Sequence, residues 1–147
     1  FFYVIRQFIL AYDRYNLAMR MWRNSSKGNI VICDRYKSQN VGVMDSKRLI
    51  IDHYSGIKKI ISIMENKLYD KMPKPDILFY LTVPIDVAVS RNNERLKAGK
   101  ESDDFLRKRH NENQNLSYDA KNYFQINTDK DYNKVISEIK SLIWSNI

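Results

Sequence analysis

The sequence predicts an α/β fold in which the strands of a parallel sheet alternate with helices. Three observations carry that prediction. Ile30–Cys33 and Asp76–Val83 are short apolar runs, rich in β-branched and aromatic residues and set off by Gly28 and by Pro73, Pro75 and Pro84. Such runs are too short for buried helices and read as strands covered on both faces. Apolar residues at helical spacing precede, separate and follow them. The first run stops abruptly at Asp34-Arg35, and open α/β sheets bind ligands just outside the carboxyl ends of their strands.

Composition narrows the classes. The 147 residues are enough for one domain with a real core, 1–147. Lys and Arg number 25 against 17 Asp and Glu, a formal charge of +8 that favours anionic partners: nucleotides, phosphorylated metabolites, nucleic acid or an acidic membrane surface. The excess is spread along the chain, so small phosphorylated substrates fit at least as well as a polynucleotide. A single cysteine excludes an intrachain disulfide and suits a reducing cytosol, the expected compartment. No run approaches the ~20 apolar residues of a membrane span, and no signal peptide is visible.

In Phe1–Arg23 the apolar positions Phe1, Val4, Ile5, Phe8, Ile9, Tyr12, Tyr15, Met19 and Trp22 fall mainly on i, i+3, i+4 spacing, which predicts an amphipathic helix. Asn24–Gly28 stops it, and the Ile30–Cys33 strand follows. Cys33 is expected as a small buried hydrophobe, and Trp22 and Trp144 as core residues. Lys37–Ser46 reads as a loop, with Ser46 capping a helix over Lys47–Tyr69 whose core stripe is Ile50, Tyr54, Ile57, Ile61, Met64 and Leu68. Met72-Pro73-Lys74-Pro75 ends that helix. Asp76–Val83 is the second strand, and Pro84 is placed as the first residue of a helix over Ile85 to about Leu96. Lys97–Asn115 is so charged that any helix in it faces solvent or closes over a ligand. Tyr123–Asn127 reads as a short strand. Thr128 with Asp131 resembles a capping box for a last helix over about Tyr132–Ile147.

The residues that could carry chemistry are polar groups at element ends and on helix faces. Phosphoryl transfer needs magnesium to bridge phosphate oxygens and cations to offset the charge developing on them. Asp34 at a strand end could hold the ion, and Arg35 could grip a phosphate bidentately. A turn-forming Asp beside a surface Arg accounts for the same two residues equally well. Asp13-Arg14 lies mid-helix, where a solvated polar face is the plain alternative. Arg91 and Arg95, four apart, share a helix face, and like charges placed there are easier to explain with an anion between them. Arg107, Lys108 and Arg109 form a cationic run that could reach over phosphates. His53 and His110 have no ligand-like partners, so no zinc site is expected.

Together these pieces resemble thymidylate kinase, of the P-loop nucleoside monophosphate kinases. Leu10–Arg14 is similar to the family's helical Phe-x-Ala-x-Arg segment. Ile30–Tyr36 matches its strand ending in Asp-Arg-Tyr, Lys74–Val83 its Pro-Asp-x-x-x-x-Leu-x-Val strand, Ala88–Arg91 the start of its lid, and Glu101–Arg109 the lid itself. The resemblance covers nearly the whole chain as the C-terminal two-thirds of one kinase domain. It implies a three-layer α/β/α P-loop kinase fold, incomplete at the N-terminus, with a lid at about 97–115. No G-x-x-x-x-G-K-[ST] occurs in the 147 residues, so the phosphate loop is expected ahead of Phe1 and these residues alone are expected to be inactive.

The resemblance also implies an activity, transfer of a phosphoryl group from ATP to dTMP or a related nucleotide with Mg2+, and it implies roles. Arg35 would bind the acceptor's phosphate, Asp34 would act on magnesium or on the acceptor's position, Arg14 would reach the acceptor's base or its phosphate, and Tyr36 would lie on the acceptor side. Arg91 and Arg95, with Arg107 or Arg109 from the lid, would contact ATP or the transferring group. Leu10 stands where the family stacks a Phe on thymine, and the loop after Tyr36 departs from the family's pattern, so the acceptor is less well specified than the kinase architecture. The alternatives are a deoxynucleoside kinase, whose strand ends in Glu-Arg-Ser in place of Asp34-Arg35-Tyr36, and a catalytically inactive nucleotide-binding domain. A nucleic-acid-binding domain is disfavoured by the interspersed charge. A homodimer through the helix around 47–69 is implied by the family.

Overall fold

The computed structural model describes residues 1–43, 45–95, 99, 101–113 and 115–146. They fall into two compact units, Phe1–Lys74 with Ser117–Asp119, and Pro75–Leu116 with Ala120–Ile147.

The first unit is built on two helices packed on each other, α1 (Phe2–Ser25) and α2 (Gly56–Asp70). Val4, Ala11 and Ala18 recur every seven residues as the buried stripe of α1. The two alanines bring the backbones close, and they form a cluster with Tyr69 and Met72, flanked by Tyr15, Met21 and Leu68. Gly28, at φ +85°, takes the left-handed conformation that turns the chain after α1. Trp22 lies outside this cluster and is exposed, contrary to its expected core position.

Two sequence expectations fail here for identifiable reasons. Residues 30–33 form no strand: Ile30 is 69 % exposed and Ile32 89 %, and neither belongs to a ladder among the described residues. A strand exists through its neighbour's hydrogen bonds, and no described strand offers them to this run. Cys33 is accordingly exposed, although its thiol meets Met21 Sδ at 3.3 Å.

The helix expected from Lys47 begins only at Gly56, after a 3₁₀ turn at Ile51–His53. The backbone of 48–49 is instead bound by α2 side chains. Arg48 N–H donates to Glu65 Oε1 at 2.8 Å, and Asn66 Nδ2 donates to Leu49 O at 2.9 Å. Ser46 is no cap; fully buried, its Oγ accepts from Ser38 N–H at 2.8 Å. The buried face of α2 is Ser62, Glu65 and Tyr69, while Ile57 and Met64 of the expected stripe are exposed.

Glu65 supplies a pH-dependent term. Burial pushes its carboxyl up, against the Arg48 and Leu49 backbone N–H groups and the Lys47 and Arg14 charges, which pull it down. The folded state therefore keeps this proton to higher pH than the unfolded chain does. The stability linked to it is complete below the ordinary carboxylate range and is lost as pH rises through the raised value. Urea midpoints measured across that window should fall less steeply for Glu65→Gln than for wild type. Parallel profiles would contradict the assignment.

In the second unit β1 (Ile77–Thr82) and β2 (Asn122–Asn127) pair in parallel, with Ile77 opposite Asn122 and Thr82 opposite Asn127. The ladder aligns Phe79 with Phe124, whose rings stack at 5.8 Å, and Tyr80, opposite Gln125, stacks diagonally on Tyr123 at 6.3 Å. The crossover runs through α3 (Ile85–Glu94) and α4 (Asp103–Glu112), and α5 (Tyr132–Trp144) follows β2. Among the described residues, Val89, Ile126 and Val135 are the buried apolar residues of the second unit. Pro84 is the N-cap of α3 rather than its first residue.

Asp131, not Thr128, caps α5. Its carboxylate accepts from Asn133 and Lys134 N–H at 3.0 and 3.2 Å, while Thr128 Oγ1 donates to Thr82 O at 3.0 Å and so closes the end of the ladder. Asp131→Ala is expected to destabilise by about 1 kcal/mol, read as a lower urea midpoint, with Asp131→Asn near wild type. Trp144 is 73 % exposed, again outside the core. The parallel α/β class holds, with a two-stranded sheet among the described residues. None of the described helices is long and apolar enough to cross a membrane.

Candidate functional site

In the first unit, α1, α2 and the loop between them bring two arginines onto one carboxylate. Arg14 projects from the middle of α1, and its Nη1 donates to Tyr69 Oη on α2 at 2.7 Å. Its Nη2 donates to Asp45 Oδ1 at 2.9 Å. Arg35 Nη1 reaches the other oxygen of Asp45 at 3.8 Å, and its Nε lies 3.9 Å from Asp34 Oδ2. Burial raises the Tyr69 phenol, against the Arg14 hydrogen bond and charge, which lower it. The phenol thus stays neutral and accepts from the guanidinium.

The segment carrying Arg35 is tied to the end of α2. Tyr36 Oη donates to Pro73 O, and Lys37 Nζ donates at 2.5 Å to Tyr69 O, a carbonyl of the last helical turn that also accepts from Met72 N–H at 3.2 Å. Burial lowers the Lys37 ammonium, partly offset by Asp70. Lys47 Nζ pairs with Asp70 at 2.6 Å. Leu10 lies one helical turn before Arg14 on α1 and is half-buried.

In the second unit the expected cations sit around α3 and α4. Arg91 Nη2 donates to Thr128 O at 2.9 Å, just beyond the end of β2. Arg107 pairs with Asp86 in the first turn of α3 at 2.9 Å. Arg109 pairs with Glu101 at 2.7 Å and lies over the Phe105 ring, 5.6 Å from its centre. Arg95 is exposed at the C-cap of α3, one turn after Arg91. Lys97 and Lys100 of the charged stretch lie outside the described residues.

The sequence patterning around these positions has a counterpart among known proteins. A family model for thymidylate kinase matches residues 3–139. The chain belongs to the thymidylate kinase family. It is 29 % identical over 119 residues to thymidylate kinase of Thermosipho melanesiensis and 30 % identical over 121 residues to that of Thermosipho africanus. Each alignment covers 80 % of this chain and 56 % of the relative, so the chain spans about half the length of the curated relatives it matches. No solved structure matches it significantly.

Within a thymidylate kinase frame, the structure draws Arg14 and Arg35 together within the first unit. Asp34 stands beside them as a fully exposed carboxylate. Asp45 and Tyr69 are the partners that sequence reasoning missed. Asp45 lies 31 residues from Arg14 and Tyr69 lies 55, in a polar loop and at a helix end, and no local pattern marks either. Mg2+ is ordinarily held by one or two carboxylates together with substrate phosphates and water, a role that exposed Asp34 fits. Among the described residues no group of three or more His, Cys, Asp or Glu side chains gathers as a protein-made cage.

Proposed function

We propose that the full-length protein is a nucleoside monophosphate kinase that transfers the γ-phosphoryl group of ATP to dTMP or a closely related nucleotide. The carrying observation is the convergence of Arg14 and Arg35 on a single carboxylate in a chain of the thymidylate kinase family. Two guanidiniums held that close make a site for a planar or tetrahedral anion. Both curated relatives are named thymidylate kinase, which supports dTMP as the acceptor.

In this reading residues 1–147 are one kinase domain with 97–115 as its lid. Arg35 receives the acceptor phosphate. Arg14, fixed by Tyr69, sits on the acceptor side with Leu10 and Tyr36. Arg91, Arg95, Arg107 and Arg109 neutralise the donor and the group in transfer. Asp34 is the candidate ligand for Mg2+, which when bound with ATP would draw charge off the phosphate oxygens. A monophosphate oxygen is already ionised, so the side chains need supply no strong base. Placement and charge stabilisation carry the rate. Family membership favours this over a deoxynucleoside kinase or an inactive binding domain.

An acceptor panel with the full-length protein and Mg-ATP tests it, with ADP formation highest on dTMP. Turnover only with an unphosphorylated nucleoside would favour the runner-up, and ATP binding without turnover the inactive domain. The exposed Ile57, Ile60 and Met64 of α2 are the proposed surface of a homodimer, which light scattering would read directly as mass.

A further inference from the structure

We propose that Lys37 is a positioning residue for Arg35, fastening the chain just after Asp34-Arg35 to the C-terminal end of α2. The inference rests on the acceptor reading of Arg35 and adds to it a residue that the resemblance does not assign. Residues 30–36 lie in no ladder among the described residues. Side chains tie the segment down instead. Tyr36 Oη donates to Pro73 O, and Lys37 Nζ donates to Tyr69 O at 2.5 Å. Tyr69 lies in the last turn of α2 and Pro73 just beyond it, where the helix dipole favours a cation.

The ammonium stands there against a cost. Burial lowers its pKa, with Asp70 and Asp119 pulling it up and Lys47 and Lys74 pushing it down. Both carboxylates are paired with other lysines, Asp70 with Lys47 at 2.6 Å and Asp119 with Lys74 at 2.9 Å. Lys37 puts its charge on a carbonyl that already accepts from Met72 N–H at 3.2 Å. An apolar side chain of similar length would leave that carbonyl paired and remove the desolvation cost. Because the folded value lies below the unfolded one, protonated Lys37 detracts from stability at neutral pH, and the loss is relieved as pH rises from the lowered value to the ordinary lysine range. A charge held on these terms orders the Arg35 segment rather than stabilising the fold.

The consequence falls on the acceptor. Arg35 lies two residues before Lys37, so fixing one limits where the other can reach. A guanidinium on an ordered segment binds its anion with less ordering still to be done. Releasing the tie should weaken acceptor binding and leave ATP binding alone.

The test uses the full-length protein, with Lys37→Met, Lys37→Arg and, in parallel, Arg35→Ala. Steady-state kinetics with Mg-ATP and dTMP are read beside urea midpoints. Lys37→Met is expected to raise the dTMP KM about tenfold, with the ATP KM unchanged and the midpoint equal to or above that of wild type. Lys37→Arg keeps a charged donor and should bring the dTMP KM back near wild type. The wild-type dTMP KM should also rise as pH passes through the lowered Lys37 value, while that of Lys37→Arg stays flat over the same range. A lower midpoint with an unchanged dTMP KM in Lys37→Met would make Lys37 a stabilising group and overturn the proposal. An unchanged dTMP KM in Lys37→Met beside a lowered kcat/KM in Arg35→Ala overturns the proposal and leaves the acceptor reading intact. An unchanged kcat/KM for dTMP in Arg35→Ala removes the acceptor reading, and the proposal with it.

Discussion

Arg35→Ala in the full-length protein is expected to lower kcat/KM for the acceptor nucleotide by about 10²–10³-fold. The guanidinium heads the Asp34-Arg35-Tyr36 segment with its side chain 63 % exposed and faces Asp45. An acceptor phosphate there would gain a charge-assisted contact whose strength grows as charge develops in transfer. Arg35→Lys keeps the charge and loses the bidentate fork, so it should recover only part of the rate. Steady-state kinetics with varied acceptor at saturating ATP gives the answer. A loss confined to the ATP KM would place Arg35 on the donor side and defeat the assignment.

Tyr69 is the second position of large effect, and its two halves separate cleanly. The residue is 2 % exposed and sits in the cluster with Ala11, Ala18 and Met72. Tyr69→Ala leaves a ring-sized void between α1 and α2 and should destabilise by about 3–5 kcal/mol. Tyr69→Phe keeps the ring and removes only the acceptor of the Arg14 hydrogen bond, a loss of about 1 kcal/mol. The two proteins should therefore differ sharply in urea midpoint. The Phe variant should show a raised acceptor KM with kcat nearly unchanged, because Arg14 loses one of the two groups that fix it. Equal midpoints for the two variants would mean that the α1–α2 packing does not depend on the ring.

The positions of these effects show how much of the molecule can be read along the chain. The helices over Phe2–Ser25, Ile85–Glu94 and Tyr132–Trp144 and the strands Ile77–Thr82 and Asn122–Asn127 lie close to where local pattern puts them. Their signals are periodicity, flanking prolines and polar stops, all carried by neighbouring residues. The start of α2 was misplaced because Glu65 and Asn66 take up the backbone of 48–49 from 17 residues away. The cap of α5 shifted from Thr128 to Asp131 because Thr128 is held by Thr82 at the far end of a ladder.

By itself the sequence determined the α/β class, the family and the identity of the cationic residues, because these rest on local composition and on motifs in order. Only the tertiary structure decided that Arg14 and Arg35 meet, that Asp45 lies between them and that Tyr69 braces one of them. Those contacts join residues 10 to 55 positions apart, and Arg14 reaches Tyr69 because α1 packs on α2. Packing chooses which distant side chains become neighbours, and no window of local sequence contains that choice.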